Sequence, residues 1–209
     1  MNIIKTIALS VIVLSTIVAA SGFTKRTVSC KKTEATSVLE VKQNQTINMF
    51  VTHGHCSTPF GGNVVNLKIA TTEREDQGDP LEAMKISFEI DPNSFIVCAG
   101  DALTAKIRTP GLFIGDNDEK ITFKSTDVYT MGVDWYQVNG NVSIKGVEND
   151  VKLFVTGIRD PKDAMPTSLV LEGQLDLFDW GIDYDKIVNG KSGSVPTKWM
   201  YINMKIEMS

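Results

Sequence analysis

From about residue 45 onward the chain alternates apolar and polar residues with a period of two, the pattern of strands that bury one face. Ile47, Met49, Val51 and His53 share one face, Val65, Leu67 and Ile69 the next, then Ile86, Phe88 and Ile90. The alternation resumes at Ile121, Phe123 and Ser125, at Val142 and Ile144, and at Val151, Leu153 and Val155. Two long runs follow. Leu169, Leu171, Gly173, Leu175 and Leu177 form one; Met200, Ile202, Met204, Ile206 and Met208 form the other. Turn-forming residues stand between the runs: Gly61-Gly62, Asp91-Pro92-Asn93, Asn139-Gly140-Asn141, Asp160-Pro161 and Asn189-Gly190. A sharp turn at Gly61-Gly62 is expected between the first two strands. One short helix is predicted over Asp101 to Arg108, stopped by Thr109-Pro110-Gly111.

Strands with one apolar face, and no helices alternating with them, predict an all-β antiparallel barrel or sandwich. The two architectures imply different functions. A sandwich fills its interior from both sheets, whereas a barrel of about eight strands can hold one small ligand. Met49, Met200, Met204 and Met208 fall on the inward side, where flexible thioethers either fill gaps or line a cavity.

The first residues read as an address. Lys5, the apolar run from Ile7 to Ala20, and the small residues Ser21 and Gly22 predict a signal peptide over residues 1–22, leaving 23–209 as one domain. Export implies oxidising surroundings, so the three cysteines, Cys30, Cys56 and Cys98, predict one disulfide and one spare thiol. Cys56 and Cys98 both fall within the folded region and are the expected pair. The chain is 42% hydrophobic and carries a net charge of −4, which excludes a disordered protein. Mild acidity without a Lys/Arg cluster also excludes nucleic acid as a partner.

Candidate chemistry is sparse. His53-Gly-His55-Cys56 gathers both histidines and one cysteine, ligand types suited to zinc or copper. A strand points His53 and Cys56 to opposite faces, so a metal site at His53, His55 and Cys56 needs a donor from elsewhere. No Gly-x-Ser-x-Gly elbow occurs, and no glycine-rich loop precedes a helix. The carboxylate pairs Asp116/Asp118 and Asp183/Asp185 sit among turn residues and are expected to be solvated. The expectation is a non-enzyme without a cofactor.

Lys120-Ile-Thr-Phe-Lys-Ser-Thr126, followed by Tyr136-Gln-Val-Asn-Gly-Asn-Val-Ser-Ile-Lys-Gly-Val147, resembles the YceI-like family of exported bacterial proteins. Phe50-Val-Thr-His53 with Gly61 is similar to that family's first strand. Leu103 to Phe113 is similar to its helix and loop, and Leu177-Phe-Asp-Trp-Gly-Ile182 to the element before its last strand. The chain departs from the family pattern where Lys106 replaces a helix histidine and where Gly111-Leu112-Phe113 stands for D-F-F.

The resemblance implies a lipocalin-like antiparallel barrel of about eight strands in a Gram-negative periplasm or secreted from it. Its partner would be a long-chain apolar small molecule (isoprenoid, quinone or fatty-acyl), and family members often form a homodimer. Combined with strand parity, it implies a lining of Met49, Val51, His53, Phe88, Phe123, Ile144, Leu153, Leu171, Met200, Ile202 and Met204. Head-group contacts would fall to His53, Lys106 and Arg108.

Overall fold

Ten strands are described in the computed structural model, which covers residues 36–42, 44–53, 56–72, 79, 81–189 and 198–209. For His53, Cys56, Ser57, Thr72, Ile187 and Asn189 only the backbone is described. The predicted leader, Cys30 and His55 lie outside the described residues.

The strands are β1 (Thr36–Leu39), β2 (Gln45–His53), β3 (Cys56–Thr72), β4 (Lys85–Ile90), β5 (Ile96–Val97), β6 (Ile121–Gly132), β7 (Trp135–Ile144), β8 (Val147–Ile158), β9 (Ser168–Asp176) and β10 (Trp199–Glu207). Eight of them close into an antiparallel barrel in the order β3, β2, β10, β9, β8, β7, β6, β4, with β4 pairing back onto β3. The barrel expectation is met, and the sandwich is not. Closure leaves no edge strand along the ring, so each backbone row finds a partner.

The two short strands only lengthen the seam. β3 pairs with β2 over its first half and with β1 near its end. On its other side it pairs with β5 and then β4. Cross-strand register stacks inward residues into layers. Met49 lies opposite Ile202, Ile202 opposite Gly173, Gly173 opposite Leu153, and Leu153 opposite Val138.

Three sequence expectations need correction. Gly61 and Gly62 do not turn the chain; they lie inside β3. A Cβ on Gly62 would approach the Phe95 ring to 2.7 Å, so glycine there makes room for an aromatic plug. Asn139-Gly140-Asn141 is likewise the middle of β7. A Cβ on Gly140 would meet the Phe123 ring at 2.7 Å, opposite the register shift between Ser125 and Asp127. Thirdly, Val65 and Leu67 are only partly buried, Leu67 packing against the edge of the core. Asn66 has φ 52° at a register shift in β3, which flips the parity, so that Val64 is buried before it while Ile69 is buried after it as expected.

The predicted helix forms as α1 (Asp101–Ile107), and a second, unpredicted one follows as α2 (Tyr184–Asn189). Asp185 therefore does not sit in a solvated loop, whereas Asp183 stays in the partly exposed segment just before α2. Asp183 accepts the Lys186 N–H at 3.0 Å, capping the first turn, and Asp185 is buried. β7 and β8 join through Lys145-Gly146, both at positive φ (54° and 74°), the turn whose twist suits a two-residue hairpin.

Candidate functional site

The barrel interior is the first candidate. Ten of the eleven lining residues expected from the sequence have described side chains: Met49, Val51, Phe88, Phe123, Ile144, Leu153, Leu171, Met200, Ile202 and Met204. All ten are buried, none more than 6% exposed, and all belong to one continuous apolar core. Phe88 and Phe123 face each other across β4 and β6 with ring centroids 5.1 Å apart. His53 ends β2 and pairs with Cys56 across the hairpin, with its side chain outside the described residues.

One end of this interior is sealed by apolar side chains. Phe60, Phe95 and Phe113 form a three-ring cluster with centroids 5.3, 5.7 and 5.5 Å apart. Trp180 is buried beside β7 and donates its indole N–H to the Val142 carbonyl at 3.2 Å. Tyr184 is buried, and desolvation raises the pKa of its hydroxyl, partly offset by a hydrogen bond with Thr58.

Lys106 and Arg108, expected to meet a head group, are both engaged here. Lys106 donates to the Val188 carbonyl at 2.7 Å, tying α1 to α2, and Arg108 donates to the Phe95 carbonyl at 2.7 Å. Cys98, in the turn between β5 and α1, is exposed with a free thiol, so the expected Cys56–Cys98 bond is not made in this structure.

The opposite end is a mouth lined by both polar and apolar side chains. A cavity of about 490 Å³ opens between the segment before β4, the β6–β7 hairpin and the β8–β9 loop. Its lining includes Asp79, Leu81, Asp134, Tyr136, Arg159 and Pro166. Tyr136 points inward from β7 because it shares parity with Val138, and both are fully buried. Its hydroxyl donates to Asp79 Oδ2, while Asp79 Oδ1 accepts the Leu81 N–H at 3.0 Å. Burial first, and then the Asp79 carboxylate, push the Tyr136 hydroxyl far above its ordinary pKa of 10.0. Arg159 Nε lies 2.9 Å from both carboxylate oxygens of Asp134, and Nη1 donates to the Asp163 carbonyl at 2.8 Å. The hydrogen bond to Asp134 holds that guanidinium in its charged form.

Sequence reasoning missed this mouth. The parity of Tyr136 was legible, but Asp79 and Arg159 sit in irregular segments that only the closed barrel brings together. Among the described residues, no group of three His, Cys, Asp or Glu side chains is arranged to hold a metal ion.

The YceI-like domain profile matches residues 17–208, nearly the entire chain. The chain belongs to the YceI-like family. Solved structures agree with the YceI-like fold at low sequence identity. The barrel is similar to Burkholderia cenocepacia BcnA, with 15% identity, TM-score 0.55, and coverage of 78% of this chain and 94% of that one. It is also similar to the Campylobacter jejuni YceI protein, with 16% identity, TM-score 0.52, and coverage of 71% and 84%. A third similar structure is a polyisoprenoid-binding domain from Saccharophagus degradans implicated in plant cell wall breakdown, with 15% identity, TM-score 0.52, and coverage of 84% and 99%. No curated protein matches the sequence.

Proposed function

We propose that this YceI-like protein is an exported carrier that encloses a long apolar chain, an isoprenoid, quinone or fatty-acyl ligand, inside its barrel. The observation that carries this reading is the interior itself: a closed ring of strands around a core built of aliphatic, methionine and aromatic side chains. Burial of each CH₂ contributes roughly 0.8 kcal/mol, so a long chain needs no strong polar anchor to be held. Met49, Met84, Met200 and Met204 are spread through that core, and flexible thioethers can repack around a guest at little cost. The polyisoprenoid-binding neighbour supports the same ligand class. The leader-like residues 1–22 support action in the periplasm, and the fold serves as a container rather than a catalyst.

Native mass spectrometry of protein purified from cells without detergent tests the reading. The expected result is a bound, solvent-extractable apolar molecule that is lost in Leu171→Arg and Met204→Arg variants whose far-ultraviolet circular dichroism is unchanged. A bare chain mass, together with no uptake of an added long-chain isoprenoid, would rule the carrier out.

A further inference from the structure

Exposed apolar side chains gather on one hairpin of the barrel. Tyr129 and Met131 near the end of β6, Val133 in the turn and Trp135 at the start of β7 belong to it, with Ile158 at the end of the next strand, β8. Each is between 45% and 85% exposed. Single apolar residues scattered over a surface are ordinary, whereas five at one strand end mark a contact site. We propose that the β6–β7 hairpin tip docks the protein on a phospholipid bilayer by inserting these side chains at the headgroup boundary.

The strands hold these side chains in their exposed positions. Thr130 pairs with Tyr136 and Tyr129 with Gln137, so Tyr129 faces outward while Tyr136 faces the core. The Trp135 ring lies over Gly132, where a Cβ would come within 3.9 Å of it, and stacks on Phe154 with centroids 6.1 Å apart. The indole is thus gripped from two sides. The Gly157 N–H of β8 donates to the Asp134 carbonyl at 2.7 Å, which pins the turn to the strand that carries Ile158. That bond also satisfies a turn carbonyl that would otherwise face the lipid bare.

The chemistry of the tip chooses a bilayer over another occupant. Within residues 129–137 and 154–158, Asp134 is the one charged side chain. Both of its carboxylate oxygens lie 2.9 Å from Arg159 Nε, so the segment brings no unpaired charge of its own to be stripped of water. Tyr129 and Trp135 each carry one polar atom on an apolar ring, the type of side chain that favours the boundary between headgroups and hydrocarbon. A hairpin turn is convex, so a protein partner would need a matching groove, whereas a fluid headgroup layer parts around it. The exposed apolar residues of the other end are set among charges instead: Val147 between Lys145 and Glu148, Phe178 beside Asp179. Gly132 and Val133 also border the cavity at the open end, so docking turns that opening toward the membrane. Resting on the carrier reading, this is the orientation in which an apolar chain passes between bilayer and barrel without crossing water.

The test is co-sedimentation of the purified protein with vesicles of phosphatidylcholine alone and with vesicles that also contain phosphatidylglycerol. Binding to phosphatidylcholine alone is expected, and it should change less than about twofold between low and high salt, because apolar insertion is not screened. Val133→Asp and Trp135→Gln should each weaken it at least about tenfold, with circular dichroism and urea midpoint unchanged. Val147→Asp, at the other end, should leave it unaltered. Brominated phosphatidylcholine should quench Trp135, read in a Trp199→Phe variant whose remaining second indole, Trp180, is buried. Absence of binding to phosphatidylcholine would overturn the docking, and so would binding confined to the anionic vesicles and lost in salt. Self-association abolished by Val133→Asp, without vesicle binding, would give the tip to a second copy and overturn it as well. Vesicle binding as expected, with no apolar ligand recovered by native mass spectrometry, would uphold the docking and remove the carrier reading alone.

Discussion

The two ends of the barrel solve the same problem in opposite ways. A closed sheet buries its inner face along its length, yet each opening would expose that face to water. At one end the chain spends two helices, α1 and α2, and four aromatic side chains to cover the opening with more apolar surface. At the other it leaves a cavity and lines it with paired polar groups, so that Tyr136, Asp79, Asp134 and Arg159 satisfy one another. The difference teaches that one end is closed by apolar packing alone and the other by polar groups that satisfy one another around a cavity. Substitutions should therefore separate the two cleanly.

The largest effect is expected at the seal. Phe95→Ala removes the ring that packs on both Phe60 and Phe113 and should cost about 3–5 kcal/mol, read as the shift in a urea midpoint at constant slope. A loss below about 1 kcal/mol would mean that the cluster is not a packed unit.

At the mouth, Tyr136→Phe deletes one hydrogen bond and should cost only about 1 kcal/mol at neutral pH, since Asp79 keeps the Leu81 N–H. Its clearer signature is in alkali. The Tyr136 pKa is raised by folding, so the neutral phenol stabilises the native state fully below about pH 10, and this contribution is lost as pH rises further. Native stability should then fall by at most about 1.4 kcal/mol per pH unit on this account. Tyr136→Phe should flatten that limb, with the portion due to Tyr184 remaining. An unchanged alkaline limb in the variant would remove Tyr136 as its cause.

The smallest effect belongs to the strap between the helices. Lys106→Met keeps the aliphatic stem but loses the bond to Val188, and should cost at most about 1 kcal/mol because the group is exposed. Hydrogen exchange should speed up in α2 alone; faster exchange across the barrel would show that the strap does more than hold one helix.

Much of the barrel was legible in the residues because one buried face imposes a strict period of two. Parity alone placed Met49, Leu153, Leu171 and Met204 in the core, and all four are fully or almost fully buried. It failed where a single residue broke the period, as at Asn66, and where glycine serves a close approach rather than a turn, as at Gly62 and Gly140. Glycine's missing side chain reads identically in both roles until the facing ring is known. The mouth was hidden for a different reason. Asp79 and Tyr136 are 57 residues apart in sequence, and Asp134 meets Arg159 only because two neighbouring loops rise from one end of the ring. The sealed end was half visible: α1 carried its stop signal, whereas α2 is a single short turn or two with little amphipathic pattern.

The pairing of β2 with β10 sets the order in which the molecule can be built. The first strand of the ring hydrogen-bonds to the last, with Val51 opposite Met200 and Asn48 opposite Asn203. Every other contact around the circle joins ring strands that follow one another in the chain, β4 and β6 being separated only by β5, which lies off the ring, and by the segment that carries α1. A nascent polypeptide can therefore lay down hairpin after hairpin while both β2 and β9 remain raw edges. Closure of so distant a pair is the slow, entropically costly step, and it waits for the final nine-residue strand. A chain cut before Trp199 would keep two unpaired edges and present them to its neighbours as templates for aggregation.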